Sequence, residues 1–186
     1  GAGTDLASLR TAAVRDGVEV DIDGDGDGDG EIRVRCPMLM RCYRDGSTPI
    51  TSDGWFPTGD LGRRLDDGRL EVSGRKSDLI ITGGENVYST EVENAIASHT
   101  AVLQVAVIGI PSEQWGEAVH AIVVLREGAS AGEADIIAHA RDSIAGYKVP
   151  KSVEFRTEPL PLSGAMKVLK KDLRAPYWEG HERKVN

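Results

Sequence analysis

Three short stretches of the chain carry residue types that could handle a nucleotide. Asp60 follows Thr-Gly in the segment WFPTGD, and Arg75 follows a glycine fifteen residues later. A carboxylate at a tight turn can accept both hydroxyl groups of a ribose, and the donor fork of an arginine can reach ribose or phosphate oxygens. Gly83 and Gly84 would let the backbone approach a ligand that a side chain would obstruct. This combination predicts nucleotide binding but names no reaction.

A further stretch, residues 158–174, contains Lys167 within the sequence EPLPLSGAMKVLKKDLR. The residues alone allow two interpretations. In one, a proline-ended strand and a Ser-Gly turn lead to a basic helix whose lysines form a solvated face. In the other, Lys167 stands at a loop-to-helix junction, from which its ammonium group can swing into a neighbouring cleft. The stretch by itself does not decide between them.

The segment DIDGDGDGDGE, residues 21–31, has some features of a calcium loop. With Asp21 as position 1, acidic residues occupy positions 1, 3 and 5, and Gly26 occupies position 6. Position 12 is Ile32, however, where a helix-loop-helix calcium site needs a bidentate glutamate. The flanking residues alternate as strands do rather than helices. The segment therefore predicts a flexible hairpin loop, and we assign no metal ligands.

The elements that must position these residues change their period near residues 74–78. Before that point the chain is β-rich, with an Asp67–Gly68 turn between two strands. After it, STEVENAIASH predicts a helix and VLQVAVIGI a strand buried on both faces, and two more helices are expected to end at Gly146 and Pro176. The sequence therefore predicts an α+β fold, with a short sheet flanked by helices in the second part.

Composition argues against several kinds of partner. The formal net charge of −8, from 22 Lys+Arg against 30 Asp+Glu, disfavours a nucleic-acid surface. No apolar run reaches the roughly 18 residues that cross a bilayer. Cys36 and Cys42 lack the spacing of a zinc site or a disulfide framework, which favours a reducing, cytoplasmic setting. Because the first residue is Gly1 and not Met, we expect a fragment or a processed product.

Taken in order and spacing, these segments resemble the adenylate-forming superfamily of acyl-CoA synthetases, peptide-synthetase adenylation domains and luciferases. GWFPTGD resembles the ribose-binding motif, GRKSDLIITGGENVYSTEVE the hinge and mobile loop, and LPLSGAMK the motif with the catalytic lysine. YKVPKSVEF, residues 147–155, resembles a fourth family segment. GGENVYSTEVE is more similar to carboxylate–CoA ligases than to amino-acid-activating domains. The resemblance covers residues 20–178.

The resemblance implies a two-step reaction. A carboxylate attacks the α-phosphate of ATP to give acyl-AMP, and the thiol of CoA then displaces AMP; Mg²⁺ is implied, with ligands outside this chain. Residues 1–74 would be the β-rich end of the large adenylating domain, 75–78 the hinge, and 79–186 the small mobile domain. The residues that match family sites are Asp60 and Arg75 for the nucleotide, Ser77 for the hinge, Gly83, Gly84 and Glu85 for the CoA-side loop, and Lys167 for catalysis.

Three positions depart from the family pattern. Ser77 stands where the hinge residue is commonly Asp or Lys, Met166 where the residue before the lysine is commonly Gly, and Cys42 where many relatives have Gly. The family's phosphate-binding loop and acyl pocket lie in a large N-terminal domain, and these 186 residues contain no equivalent. We therefore expect that domain to be the partner of this chain, and the chain alone to be inactive.

Two other functions stay open at this point. An adenylating enzyme that loads a carrier protein would differ from a CoA ligase in its thiol acceptor. A non-catalytic module would carry the same motifs unused, and calcium binding at the Asp-Gly segment would favour it. The leading expectation is the C-terminal part of a fatty-acid or other carboxylate–CoA ligase, acting in the cytoplasm on a carboxylic acid, ATP and CoA.

Overall fold

The computed structural model describes residues 11–24 and 29–181, in two compact units that divide between Lys76 and Ser77. The first unit is one antiparallel sheet with the strand order β1-β5-β4-β3-β2. Its strands are β1 (Thr11–Ala12), β2 (Glu19–Asp23), β3 (Gly30–Arg35), β4 (Phe56–Arg64) and β5 (Leu70–Arg75). The α+β class and its β-rich first part are confirmed, whereas the assignment of this part to a large domain stays a prediction.

Two hairpins of this sheet were predicted from turn residues. β2 and β3 pair antiparallel on either side of the Asp-Gly segment, with Asp23 opposite Glu31. The strand flanks are therefore confirmed, while residues 25–28 at the centre of the segment lie outside the described residues. Between β4 and β5, the amide of Gly68 donates to the carbonyl of Leu65 at 2.8 Å, and Gly68 has a φ of +82°. The predicted Asp67–Gly68 turn is confirmed, with glycine at the left-handed position.

The second unit combines a sheet with three helices. β9 lies at the centre, where it pairs antiparallel with β8, parallel with β10 and, at its first residue, with the end of β6; β7 lies on the other side of β6. The elements in chain order are β6 (Leu79–Thr82), β7 (Glu85–Tyr88), α1 (Ser89–Ala97), β8 (Val102–Ser112), β9 (Gly116–Leu125), α2 (Glu133–Arg141), β10 (Ser152–Arg156) and α3 (Lys170–Arg174).

Both faces of β8 are covered, as its continuous apolar sequence predicts. Val107 belongs to one hydrophobic cluster, which includes Val92 of α1 and Ile136 of α2. Ile108, the next residue along the strand, belongs to a second cluster with Leu173 of α3. Because successive side chains of a strand point to opposite faces, the two clusters lie on opposite sides of the sheet. The sheet is thus a fixed layer against which all three helices pack.

The helices are shorter than the sequence predicts. α2 ends at Arg141 and not at Gly146, because the amides of Ser143 and Ile144 both turn back to the carbonyl of Ala140. α3 begins only at Lys170 and ends at Arg174, and Ala175–Trp178 follow as a 3-10 turn that contains Pro176. No helix in residues 11–24 and 29–181 is long and apolar enough to cross a membrane.

Candidate functional site

Asp60 and Arg75, the two residues predicted to bind the nucleotide, lie side by side on β4 and β5. They are register partners, and Arg75 Nε lies 2.9 Å from Asp60 Oδ1. Arg75 Nη1 also donates to the carbonyl of Thr58 at 3.1 Å. The Asp60 side chain is 34% exposed and that of Arg75 51%, so both remain accessible to a ligand. The arginine orients the carboxylate through one oxygen, and the second oxygen can accept hydroxyl groups of a ribose.

The backbone before Asp60 is held by its own hydrogen bonds. Thr58 Oγ1 donates to a backbone carbonyl of β3 at 2.7 Å and accepts from the amide of Asp60 at 3.1 Å. Gly59 has a φ of +74°, which favours glycine, and its amide donates to Glu31 Oε1 at 3.2 Å. Lys76 Nζ lies 3.1 Å from the other oxygen of Glu31. The Thr-Gly-Asp sequence therefore fixes the direction in which Asp60 leaves the strand.

Lys167 lies on a tight turn and not at the start of a helix, which corrects the predicted helix boundary. Val168 forms a β-bridge with Leu162, and this pairing uses the backbone groups that a helix would need. Within the turn, the amide of Ser163 donates to the carbonyl of Lys167 at 2.7 Å, and the amide of Lys167 donates to Ser163 Oγ at 3.2 Å. The Lys167 side chain is exposed. A fixed backbone with an exposed ammonium group suits a lysine that must reach a ligand.

Met166, directly before this lysine, has an unusual backbone conformation. Its φ is +59°, and it is the one non-glycine residue with a positive φ in the described part of the chain. Its side chain is 76% exposed, so packing does not compensate for the strain. A glycine, as the resembled motif commonly has here, would adopt this conformation without that cost.

Gly83 and Gly84 form the two-residue turn between β6 and β7, a hairpin that the sequence did not predict. Their φ angles are +60° and +87°, as a turn matched to the twist of the hairpin requires. The amide of Gly83 donates to the carbonyl of Trp115 at 2.9 Å, and a Cβ on Gly83 would lie 2.9 Å from the Trp115 ring. A Cβ on Gly84 would meet nothing within 4 Å. The following Glu85 is exposed.

An open cleft of about 760 Å³ lies beside this turn. Ile81, Ile110, Trp115 and Trp178 give it an apolar and aromatic wall. Trp115 is 44% exposed, although it contacts Gly83. The cleft can therefore accept the apolar part of a ligand that reaches the glycine turn.

Ser77, the predicted hinge residue, lies in the 3-10 turn Lys76–Asp78, which joins β5 to β6. Its carbonyl accepts a hydrogen bond from Arg174 Nη1 at 3.1 Å. Its hydroxyl lies 3.4 Å from Asp78 Oδ1. The chain changes from one compact unit to the other directly before Ser77. Its role as a hinge stays a prediction.

The sequence analysis did not predict two ion pairs that α1 forms. Lys148 Nζ lies 2.7 Å from a carboxylate oxygen of Glu91, and Lys170 Nζ lies 2.7 Å from Glu93 Oε1. Burial raises the pKa of Glu93, although Lys170 and the amide of Val107 oppose this shift. The two glutamates of STEVE could have indicated these ion pairs, but the sequence predicted only an acidic first turn of the helix.

A second unpredicted group of polar residues surrounds His120, which is 5% exposed on β9. His120 Nδ1 lies 2.7 Å from Ser152 Oγ, and His120 Nε2 lies 3.1 Å from the hydroxyl of Tyr177. Tyr177 also donates to Glu154. Burial lowers the pKa of His120, while burial and the bond to Glu154 raise the pKa of Tyr177 to about 12. These contacts hold the segment after α3 against the sheet.

Comparison with known proteins places these features in a family context. Residues 91–167 match the family of the AMP-binding enzyme C-terminal domain. A long-chain-fatty-acid–CoA ligase from Yersinia pestis is 44% identical over 144 residues, which are 76% of this chain and 25% of that protein. A feruloyl-CoA synthase from an Amycolatopsis species is 43% identical over 149 residues, 78% of this chain and 30% of that protein. The chain thus spans less than a third of the length of these relatives.

Two solved structures are also similar to this chain over most of its length. ATP-bound MatB from Rhodopseudomonas palustris has a TM-score of 0.79 at 33% identity, over 91% of this chain and 36% of that one. The amide bond synthetase McbA from Marinactinospora thermotolerans has a TM-score of 0.75 at 37% identity, over 87% of this chain and 34% of that one.

Proposed function

The chain belongs to the adenylate-forming superfamily and matches the C-terminal portion of its members, and from this premise we propose that it forms part of an ATP-dependent carboxylate–CoA ligase. The complete enzyme would convert a carboxylic acid and ATP to acyl-AMP and pyrophosphate, and then acyl-AMP and CoA to acyl-CoA and AMP. The observation that carries the proposal is Lys167, exposed on a hydrogen-bonded turn at the end of the matched residues 91–167.

Lys167 would act in the first step. The carboxylate and the α-phosphate are both anions, so their approach is opposed by charge repulsion. An ammonium group between them stabilises the charge that builds up as the new bond forms. It also holds the two groups at the short separation that the reaction needs. The turn from Ser163 to Lys167 fixes the backbone, so that the freedom of the group is limited to its own side chain.

Asp60 and Arg75 would bind the ribose of the same nucleotide. Asp60 would accept the ribose hydroxyl groups, and Arg75 would orient that carboxylate and donate to ribose oxygens. Their ion pair across β4 and β5 supports a shared role, since one residue fixes the other. These residues would bind the nucleotide in both steps.

The second step would use the turn at Gly83 and Gly84. After a rotation about Ser77, this turn and the exposed Glu85 would lie beside the path of CoA, and the apolar cleft at Trp115 would take the apolar part of its pantetheine arm. The open space beside Gly84 supports this role, because a Cβ there would meet no atom within 4 Å and a thiol chain can pass close to the backbone.

The remaining parts of the proposed enzyme would come from outside the chain. The large domain would supply the acyl pocket and the phosphate-binding loop, so the chain alone is expected to be inactive. Mg²⁺ would accompany ATP, but in residues 11–24 and 29–181 no group of three or more His, Cys, Asp or Glu side chains could hold a metal ion. The free thiols of Cys36 and Cys42 support a cytoplasmic location.

The acceptor of the acyl group is the least constrained part of the proposal. McbA, which matches over 87% of this chain at 37% identity, is an amide bond synthetase, so this portion of the fold also serves an enzyme that makes amides. A carrier-protein thiol is the alternative that the sequence left open. Supplying the complete enzyme with acyl-AMP and, in separate reactions, CoA, a carrier protein or an amine distinguishes these acceptors.

The test of the proposal is Lys167→Ala in the complete enzyme. We expect acid-dependent ATP–pyrophosphate exchange to fall by roughly 100- to 1000-fold, as when one charge-stabilising donor is removed. Thioester formation from supplied acyl-AMP should change little. Lys171→Ala is the matched control, since Lys171 is exposed on α3 and forms no ion pair within the described part of the chain. An equal loss in both half-reactions would overturn the assigned role.

A further inference from the structure

Lys170 differs from the other lysines around it. It lies three residues after Lys167 and next to Lys171, both of which are exposed, yet its own side chain is only 13% exposed. Its ammonium group lies 2.7 Å from Glu93 Oε1 and donates to Ser89 Oγ at 2.8 Å. A lysine is rarely buried without a reason, because its charge loses the solvation of water.

The partners of Lys170 join three elements at one point. Ser89 and Glu93 both lie on α1, one turn apart. Glu93 Oε1 also accepts the amide of Val107 on β8 at 2.8 Å. The Glu93 side chain is itself only 18% exposed. The partly buried amine of Lys170 therefore connects the first residue of α3 to α1 and, through Glu93, to the central sheet.

α3 is short, and Lys170 adds a charged contact to the apolar contact that Leu173 makes with the second hydrophobic cluster. The helix has five residues, and Leu173 is its one buried residue. Separating Lys170 from Glu93 would leave two poorly solvated charges without their partners, so the pair opposes movement of α3 away from α1.

The turn that carries Lys167 is held at two ends. On the incoming side, Leu160 is buried, and its amide donates to Gln104 Oε1 at 3.0 Å. On the outgoing side, Lys170 contacts Glu93 and Ser89 of α1. Between these points the Leu162–Val168 bridge closes the loop. Val168 and Leu173 pack in the same apolar cluster as Leu160, so on the outgoing side Lys170 adds a charged anchor to an apolar one.

We infer that Lys170 is a positioning residue, which fixes the Lys167 turn through its contacts with Glu93 and Ser89. The inference rests on the proposed role of Lys167 in acyl-AMP formation. Without these contacts the first turn of α3 can shift, and the Lys167 turn, which directly precedes α3, shifts with it. A displacement of about 1 Å at a reacting group can lower a rate by roughly 100-fold. The step that uses Lys167 should suffer, and the step that does not should be spared.

The experiment compares variants of the complete enzyme in the two half-reactions. Lys170→Met keeps the length of the side chain and removes its charge, and Lys171→Met is the control at the exposed neighbouring position. We expect Lys170→Met to lower ATP–pyrophosphate exchange by roughly 10- to 100-fold, and to change thioester formation from supplied acyl-AMP by less than about twofold. Lys171→Met should change neither rate by more than about twofold.

A second variant covers the case in which Lys170→Met fails to fold. That substitution leaves Glu93 largely buried without its partner, whereas Lys170→Met combined with Glu93→Gln removes both charges and keeps a side-chain oxygen for the amide of Val107. The double variant should fold as the parent does, with ATP–pyrophosphate exchange still reduced. Unchanged exchange in the double variant, or an equal loss in both half-reactions, would overturn the inference.

Lys167→Ala, assayed in parallel, separates the two proposals. If it leaves exchange intact, the proposed role of Lys167 fails, and the inference about Lys170 fails with it. If Lys167→Ala stops exchange and Lys170→Met does not, the proposed function stands and the positioning role alone is wrong.

Discussion

The glycine turn between β6 and β7 allows a prediction in which two adjacent residues act as each other's control. Gly83 and Gly84 both have positive φ angles, +60° and +87°, so alanine is strained at either position. They differ in their surroundings. A Cβ on Gly83 would lie 2.9 Å from Trp115 Cε3 and 3.3 Å from Cζ3, whereas a Cβ on Gly84 meets no atom within 4 Å.

The expected loss of stability has two sources, the positive φ at both positions and the Trp115 contact at Gly83. Alanine in the left-handed region costs about 1–2 kcal/mol, and the lower entropy of its unfolded chain returns about 0.4–1 kcal/mol. Gly84→Ala should therefore lower the free energy of unfolding by about 0.5–1 kcal/mol. Gly83→Ala adds an overpacking cost, typically about 1–3 kcal/mol. Because Trp115 is 44% exposed and can move outward, we expect the added cost in the lower half of that range.

The assay is urea denaturation followed by tryptophan fluorescence. The chain has three tryptophans, and Trp55 lies in the first unit. A Trp55→Phe background leaves the signals of Trp115 and Trp178, so the transition of the second unit is observed alone. We expect Gly83→Ala to be less stable than Gly84→Ala by about 1–2 kcal/mol, with a changed Trp115 emission in the former variant. Equal stability of the two variants would refute the reasoning from the Trp115 contact.

Two further predictions concern strain and titration. Met166→Gly should raise the free energy of unfolding of the second unit by about 0.5 kcal/mol, because the left-handed strain that it removes exceeds the stability that it loses through the greater entropy of glycine in the unfolded chain; an equal gain in Met166→Ala would contradict this explanation. Tyr177 has its pKa raised from 10.0 to about 12 in the folded chain, so its protonated form contributes to stability fully below pH 10, and that contribution is lost as the pH rises towards 12. The difference in unfolding free energy between the parent and Tyr177→Phe should therefore be constant up to pH 10 and shrink above it, and a difference that does not depend on pH would argue against the Tyr177–Glu154 bond.

The parts of the fold that the sequence predicted are those with local signals. The alternation in β2 and β3, the Asp67–Gly68 turn and the continuous apolar run of β8 each specify their own structure through short-range sterics or burial. The helix ends were predicted less well, since they depend on partners far along the chain. Val168 pairs with Leu162 rather than joining α3, and the predicted Ser-Gly turn indicates that the chain turns here but not that the turn extends past Lys167.

In the candidate site, too, contacts between neighbouring strands could be predicted from the sequence, and contacts between distant segments could not. Asp60 and Arg75 could be paired from sequence because they lie in consecutive strands of a hairpin, whose register brings them together. The partners of Lys170 could not be found, because Ser89 and Glu93 are about eighty residues away and their contact is made by packing of α3 on α1. Residue type predicted a chemistry for the site, which stays a prediction, whereas the supporting contacts needed the tertiary structure.

The supporting contacts converge on the two central strands. Gly83 is bound by the carbonyl of Trp115 directly before β9, Glu93 holds Lys170 and accepts the amide of Val107 on β8, and Trp178 Nε1 donates to the carbonyl of Gly109 at 2.9 Å.

Each of these bonds ends on the backbone of β8 or of the turn that follows it, and the strands are fixed by apolar clusters on both faces. A side chain at the site can therefore change without moving the strands, but a strand that shifts moves the glycine turn and the Lys167 turn together. For that reason the sheet can place both turns with one set of core residues, while the exposed side chains of Lys167 and Glu85 extend from these turns towards solvent.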